Sequence, residues 1–138
     1  APAELQPTKA MMADINDNTP ERLGSVTITD KVGDGVAGAD VVYTDVWVSM
    51  GEKVPVEERI RLLKPYKVTP DVMKATGRAN SIFMHCLPAF HDLETEVARE
   101  YPELIEVGDT VFEGPQSRVF DQAENRMHSI KALMLETI

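Results

Sequence analysis

The sequence predicts an α/β domain with a parallel sheet flanked by helices. Strand-like and helix-like segments alternate along the 138 residues, a pattern that builds parallel sheets through crossover connections. The stretch Asp40-Val41-Val42-Tyr43-Thr44 is too apolar to leave one face in water, which suits a strand covered on both sides. The apolar run from Ser81 to Met84 stops at His85-Cys86, and Pro88 then forbids ladder pairing because it lacks an N–H. Reactive groups therefore fall at the carboxyl end of a strand, where open α/β sheets keep their ligand sites.

In chain order, Ala1 to Pro7 reads as a loop. Thr8 is a candidate N-cap for a short helix through Met11, Met12 and Ile15. Asn16 to Pro20 is a break, and Pro20 to Leu23 offers a further turn that Gly24 stops. Ser25-Val26-Thr27-Ile28-Thr29 alternates and is β-branched, so it reads as a first strand. Asp30 to Gly38 leaves room for one or two helical turns before the strand Asp40–Thr44. Val56 to Leu63 is amphipathic, with Ile60 and Leu63 inward and Glu57, Glu58, Arg59 and Arg61 outward. Thr69-Pro70-Asp71 is a cap followed by proline at the first helical position, and Gly77 ends that helix beyond Ala75. Ser81 to Cys86 is the third strand. Leu93 to Arg99 is expected to be helical, Leu104-Ile105-Glu106-Val107 to be a short extended piece, and about Asp121 to Glu136 a long helix. That helix carries Ala123, Met127, Ile130, Leu133 and Met134 on one face. Three strands make a thin sheet, so the domain is expected to be incomplete at its amino end.

Composition narrows the function classes. A net charge of −9 argues against nucleic acid or an anionic membrane surface as partner. No apolar run approaches the roughly 20 residues of a membrane helix, and no signal peptide is visible. One cysteine cannot form an internal disulfide, which fits a reducing compartment.

Three stretches carry chemistry. In Asp45-Val46-Trp47-Val48-Ser49-Met50-Gly51-Glu52, directly after a strand, Asp45 is placed to bind a cation or to cap a turn. Ser49 offers a hydroxyl, Gly51 permits a mobile loop, and Trp47 reads as core. In His85-Cys86-Leu87-Pro88, a Cys/His dyad is geometrically poor, because adjacent strand residues point to opposite faces. A metal site from His85, Cys86 and His91 lacks a standard ligand spacing and a fourth ligand. A cis Leu87–Pro88 bond is the further possibility; it would turn the carbonyls of Cys86 and Leu87 into a cleft as acceptors for a substrate NH₂. Buried structural Cys and His are the bland alternative. In Asp121-Gln122-Ala123-Glu124-Asn125-Arg126, the helix start favours acids, and Arg126 either binds phosphate through its fork or pairs with Glu124 or Gln122.

Taken together, these stretches resemble the ornithine carbamoyltransferase family. Asp45-x-Trp47-x-Ser49-Met50-Gly51 resembles its ornithine-binding loop, His85-Cys86-Leu87-Pro88 its signature tetrapeptide, and Glu124-Asn125-Arg126 its late phosphate-binding segment. The resemblance runs from about Gly24 to Ile138. Aspartate-specific relatives typically have proline at the position of Cys86, and putrescine-specific ones typically lack the Ser-Met-Gly loop, so both features favour ornithine.

The resemblance implies roles. Asp45 would hold the ornithine α-amino group, with Ser49 and the backbone of Met50 completing the amino-acid pocket. Cys86 would lie near the reacting δ-amine, its thiolate one candidate proton acceptor. The carbonyls of Cys86 and Leu87 would orient the carbamoyl NH₂, and Arg126 would contact carbamoyl phosphate. No cofactor and no metal are implied. The partners would be L-ornithine and carbamoyl phosphate, in a cytoplasmic homotrimer or multiple of trimers. The family's Ser-x-Arg-Thr-Arg phosphate loop is absent from residues 1–138, as are the strand and Asn-containing loop that open its second domain. Residues 1–138 are therefore expected to be part of an ornithine-binding domain, inactive alone, with the carbamoyl phosphate domain lying elsewhere. A non-catalytic amino-acid-binding or interaction domain, or a putrescine-type enzyme, is the alternative.

Overall fold

The computed structural model describes residues 1–18, 24–49, 51 and 53–138. Its architecture is α/β, with a two-stranded parallel sheet and helices packed around it. The expected turn at Pro20–Leu23, and Met50 of the loop, lie outside the described residues.

Strands β1 (Val41–Thr44) and β2 (Ile82–His85) pair in parallel, with Val41 opposite Ile82 and Thr44 opposite His85. Between them run helix α3 (Val56–Leu63) and helix α4 (Pro70–Ala75), as a parallel crossover requires. Thr69 caps α4 by accepting from the Val72 N–H at 3.3 Å, and Pro70 takes the first helical position. Gly77 at φ +69° closes that helix in a conformation that a side chain disfavours. Two helices precede β1: α1 (Lys9–Asn18), where Thr8 Oγ1 accepts from the Met11 N–H, and the short α2 (Val32–Val36). After β2 come α5 (Glu96–Glu100), α6 (Asp109–Phe112) and α7 (Val119–Thr137).

The main core joins Val42, Val68, Met73, Phe83, Val107, Val111, Phe112 and Val119. Phe83 lies at its centre with no exposed surface. A second cluster holds Trp47, Ile60 and Leu104, so Trp47 is core, and α3 turns Ile60 inward as its pattern requires. The extended piece around Val107 bridges in parallel to Val68.

Three expectations are corrected, on Ser25–Thr29, on the faces of β1 and on the start of α5. Ser25–Thr29 is not a strand: it stands off from β1 across a hollow of about 430 Å³ lined by Thr27, Ile28, Thr29, Val42 and Tyr43, and leaves Val26 exposed. An alternating β-branched pattern makes a strand only where a ladder partner lies within reach. Strand β1 is covered on one face only, since Val41 and Tyr43 are exposed. Helix α5 starts at Glu96 rather than Leu93, because Thr95 caps it by accepting from the Ala98 N–H at 3.1 Å. Helix α7 forms, but its apolar face is uncovered: Met127, Ile130, Leu133 and Met134 are each about half exposed or more. Only its first turn, through Val119, enters the core.

Candidate active site

The parallel register sets the site. With Thr44 opposite His85, the next residue on each strand, Asp45 and Cys86, leaves the sheet on the same edge. The Cys86 thiol donates to Asp45 Oδ1 at 2.9 Å, and the same oxygen accepts from the Val46 N–H at 2.7 Å. The thiol thus reaches a carboxylate 41 positions away in the sequence.

This environment keeps Cys86 protonated. Burial, then the hydrogen bond to Asp45 and its negative charge, push the thiol up from 9.0 to about 11. Desolvation and a nearby carboxylate both penalise a thiolate. The candidate thiolate acceptor is therefore a thiol donor near neutral pH.

His85 points the other way, as strand alternation requires. Its ring is fully buried, with Nε2 at 3.2 Å from Glu106 Oε1, and its Nδ1 accepts from the Leu87 N–H at 2.9 Å. No Cys/His dyad forms. His91 is not turned toward Cys86 either: it stacks on Phe112 at 3.8 Å between ring centres, and its Nδ1 lies 2.8 Å from Asp109 Oδ1.

The Leu87–Pro88 peptide is cis, and Leu87 sits at φ +53°. A left-handed conformation costs a non-glycine residue about 1–3 kcal/mol unless its surroundings hold it. Here the Leu87 N–H is held by His85 Nδ1, and the Phe90 N–H donates to Glu106 Oε1 at 2.6 Å.

Arg126 reaches this edge from α7. It lines a hollow of about 320 Å³ together with Tyr43, Cys86, Gln122 and Asn125. Because α7 begins at Val119, Arg126 lies beyond its second turn rather than at the helix start. Of its two expected local partners, Gln122 donates through Nε2 to the Tyr43 hydroxyl at 2.9 Å, and Glu124 Oε1 lies 3.6 Å from His128 Nε2. Ser49 is exposed on the loop after β1. The structure thus brings together Asp45, Cys86 and Leu87 at the strand ends and sets Arg126 on the hollow that Cys86 lines.

Sequence reasoning missed three residues. Glu106 stands inside the apolar run Leu104–Val107, and a lone charge in such a run was the available signal. Tyr43 carried none, and Gln122 was read only as a partner for Arg126; their contact joins α7 to the end of β1 across 79 positions of sequence.

Residues 1–137 match the family model described as aspartate/ornithine carbamoyltransferase, Asp/Orn binding domain. The chain is 70% identical, over its whole length and 42% of the relative's, to a phaseolotoxin-insensitive ornithine carbamoyltransferase of Pseudomonas syringae pv. actinidiae. It is 50% identical to a catabolic ornithine carbamoyltransferase of Staphylococcus epidermidis, covering 99% of this chain and 43% of that one. The crystal structure of the Giardia lamblia ornithine transcarbamoylase is similar at a TM-score of 0.73 and 32% identity, over 96% of this chain and 38% of that one. The chain spans about two-fifths of the length of the curated relatives it matches. Joined carboxyl strand ends, a thiol on a carboxylate and a match along nearly the whole chain converge on one assignment: the chain belongs to the aspartate/ornithine carbamoyltransferase family.

Proposed function

We propose that this chain supplies the ornithine side of a carbamoyl transfer, in which L-ornithine and carbamoyl phosphate give L-citrulline and phosphate. The observation that carries the proposal is the Cys86–Asp45 contact at the joined strand ends, which puts a carboxylate and a thiol side by side at the edge of a hollow bearing Arg126. In this reading residues 1–138 are part of the ornithine-binding domain, and the carbamoyl phosphate domain is supplied by other residues.

Asp45 accepts from the ornithine α-ammonium group in a charge-assisted bond. Ser49 and the backbone of Met50 complete the amino-acid pocket. The carbonyls of Cys86 and Leu87 accept from the carbamoyl NH₂, and Arg126 pairs with the phosphate. The neutral δ-amine attacks the carbamoyl carbon, the C–N bond forms, and the C–O bond to phosphorus breaks. The amine gives up one proton, and the departing phosphate takes it, so charge balances without a thiolate. Cys86, protonated at neutral pH, is then a donor beside the reacting amine. Fixed donors must meet the oxyanion and the leaving phosphate, and alignment of two bound substrates supplies much of the rest. The family resemblance speaks for a role in arginine metabolism and for a cytoplasmic trimer. No helix among the described residues is long and apolar enough to cross a membrane.

The test is citrulline formation by the full-length protein containing this chain, with ornithine, putrescine and aspartate offered as acceptors. Preference for ornithine supports the reading. Carbamoylation of putrescine or aspartate in its place refutes it, and turnover of none supports a non-catalytic domain.

A further inference from the structure

Glu106 is the one acidic side chain in the buried core of the described residues, with no exposed surface. Its backbone is pinned by the bridge to Val68, whose N–H donates to the Glu106 carbonyl at 2.9 Å. Its side chain reaches the turn that follows β2. Oε1 accepts from the Phe90 N–H at 2.6 Å and lies 3.2 Å from His85 Nε2. His85 Nδ1 accepts from the Leu87 N–H, so in the neutral ring the proton sits on Nε2, which stands 3.2 Å from Oε1 without a hydrogen bond to it. Oε1 thus hydrogen-bonds residue 90 directly and packs against the imidazole that holds residue 87. The second oxygen, Oε2, is buried with no hydrogen-bond partner among the described residues.

A buried carboxylate is a costly way merely to fill space, since an apolar side chain would do so without desolvation. Here it sits behind the turn in which Leu87 is left-handed at φ +53°, against the imidazole that accepts from the Leu87 N–H. Resting on the carbamoyl-transfer reading above, we propose that Glu106 is a positioning residue for that reaction: acting through His85 and the Phe90 N–H, it aims the Cys86 and Leu87 carbonyls at the carbamoyl NH₂. Asp45, beyond the end of β1, meets this turn through the Cys86 thiol rather than through Glu106 or His85, so the effect is expected on turnover before ornithine binding.

The test compares the full-length protein with Glu106→Leu and Glu106→Gln. Leucine fills the space and removes the acceptor. Glutamine keeps Oε1 as acceptor and places its NH₂ where Oε2 lies unpartnered. Glu106→Leu should lower kcat by about tenfold or more, with the KM for ornithine changed less than about threefold. Glu106→Gln should restore kcat to within about threefold of wild type. Amide hydrogen exchange across residues 87–90 should accelerate in Glu106→Leu and not in Glu106→Gln. If Glu106→Leu fails to fold, His85→Asn cuts the same tie and should show the same split between kcat and ornithine KM. Wild-type kcat in the leucine variant overturns the proposal. So does a loss that raises the ornithine KM equally and that glutamine does not rescue, which would mark a purely structural role. Absence of citrulline from the wild-type protein would instead refute the carbamoyl-transfer reading, and the exchange measurement would still decide whether Glu106 holds the turn.

Discussion

The protonation of Cys86 makes a sharp prediction about its reactivity. Alkylation by iodoacetamide proceeds through the thiolate. Raising the thiol from 9.0 to about 11 lowers the thiolate fraction at pH 8 about 100-fold relative to an unperturbed cysteine. Quantifying the alkylated Cys86 peptide by mass spectrometry between pH 7 and pH 11 should show a rate climbing about tenfold per unit up to about pH 11. In Asp45→Asn the carboxylate charge is gone while burial, the largest cause of the shift, stays. The profile should therefore move down in pH, though not as far as 9.0, and alkylation should accelerate by less than about 100-fold. Stability follows the same shift. Between about pH 9 and 11 the unfolded chain ionises this thiol and the folded one does not, so the unfolded state binds fewer protons. Stability then falls as pH rises through that window and is unaffected below it. A native profile that levels off below pH 9, or one that Asp45→Asn leaves unmoved, refutes the reasoning.

Three further outcomes are expected. Arg126→Ala in the full-length protein should raise the KM for carbamoyl phosphate and lower kcat/KM about 10- to 100-fold, the worth of one charge-assisted bond, as read by initial rates of citrulline formation. Phe83→Ala opens a cavity at a position with no exposed surface and should cost about 3–5 kcal/mol by urea unfolding. Thr69→Ala removes the cap on the Val72 N–H and should cost about 1 kcal/mol in the same assay, with the urea slope unchanged.

What the sequence disclosed, and what it hid, divides along local and non-local physics. The strands around Val42 and Phe83, the cap at Thr69 and the stop at Gly77 depend on residues within a few positions of one another, and all are found. Ser25–Thr29 has the composition of a strand, yet pairing is decided by what lies alongside, and a hollow lies there. The stripe on α7 is truly apolar, but nothing among the described residues covers Ile130 or Leu133. Asp45 and Cys86 were legible because each follows a readable strand. Glu106 was not, because a glutamate in an extended piece ordinarily faces water, and its burial depends on residues 85–90 folding across it.

The sheet acts as the ruler of this site. In a parallel pair, sliding one strand by one residue displaces it by about 3.3 Å and turns every side chain to the opposite face. Such a slip would break the 2.9 Å approach of Cys86 to Asp45. It would also expel Phe83 from the core and turn His85 away from Glu106. The packing energy that fixes the register is therefore the same energy that fixes the chemistry. Burying a side chain such as Phe83 contributes about 1.5–3 kcal/mol, against a weak thiol–carboxylate bond that could not align two strands alone. This explains why the contacts at the strand ends can be few and individually modest: Val42, Phe83 and Val107 set their geometry from behind.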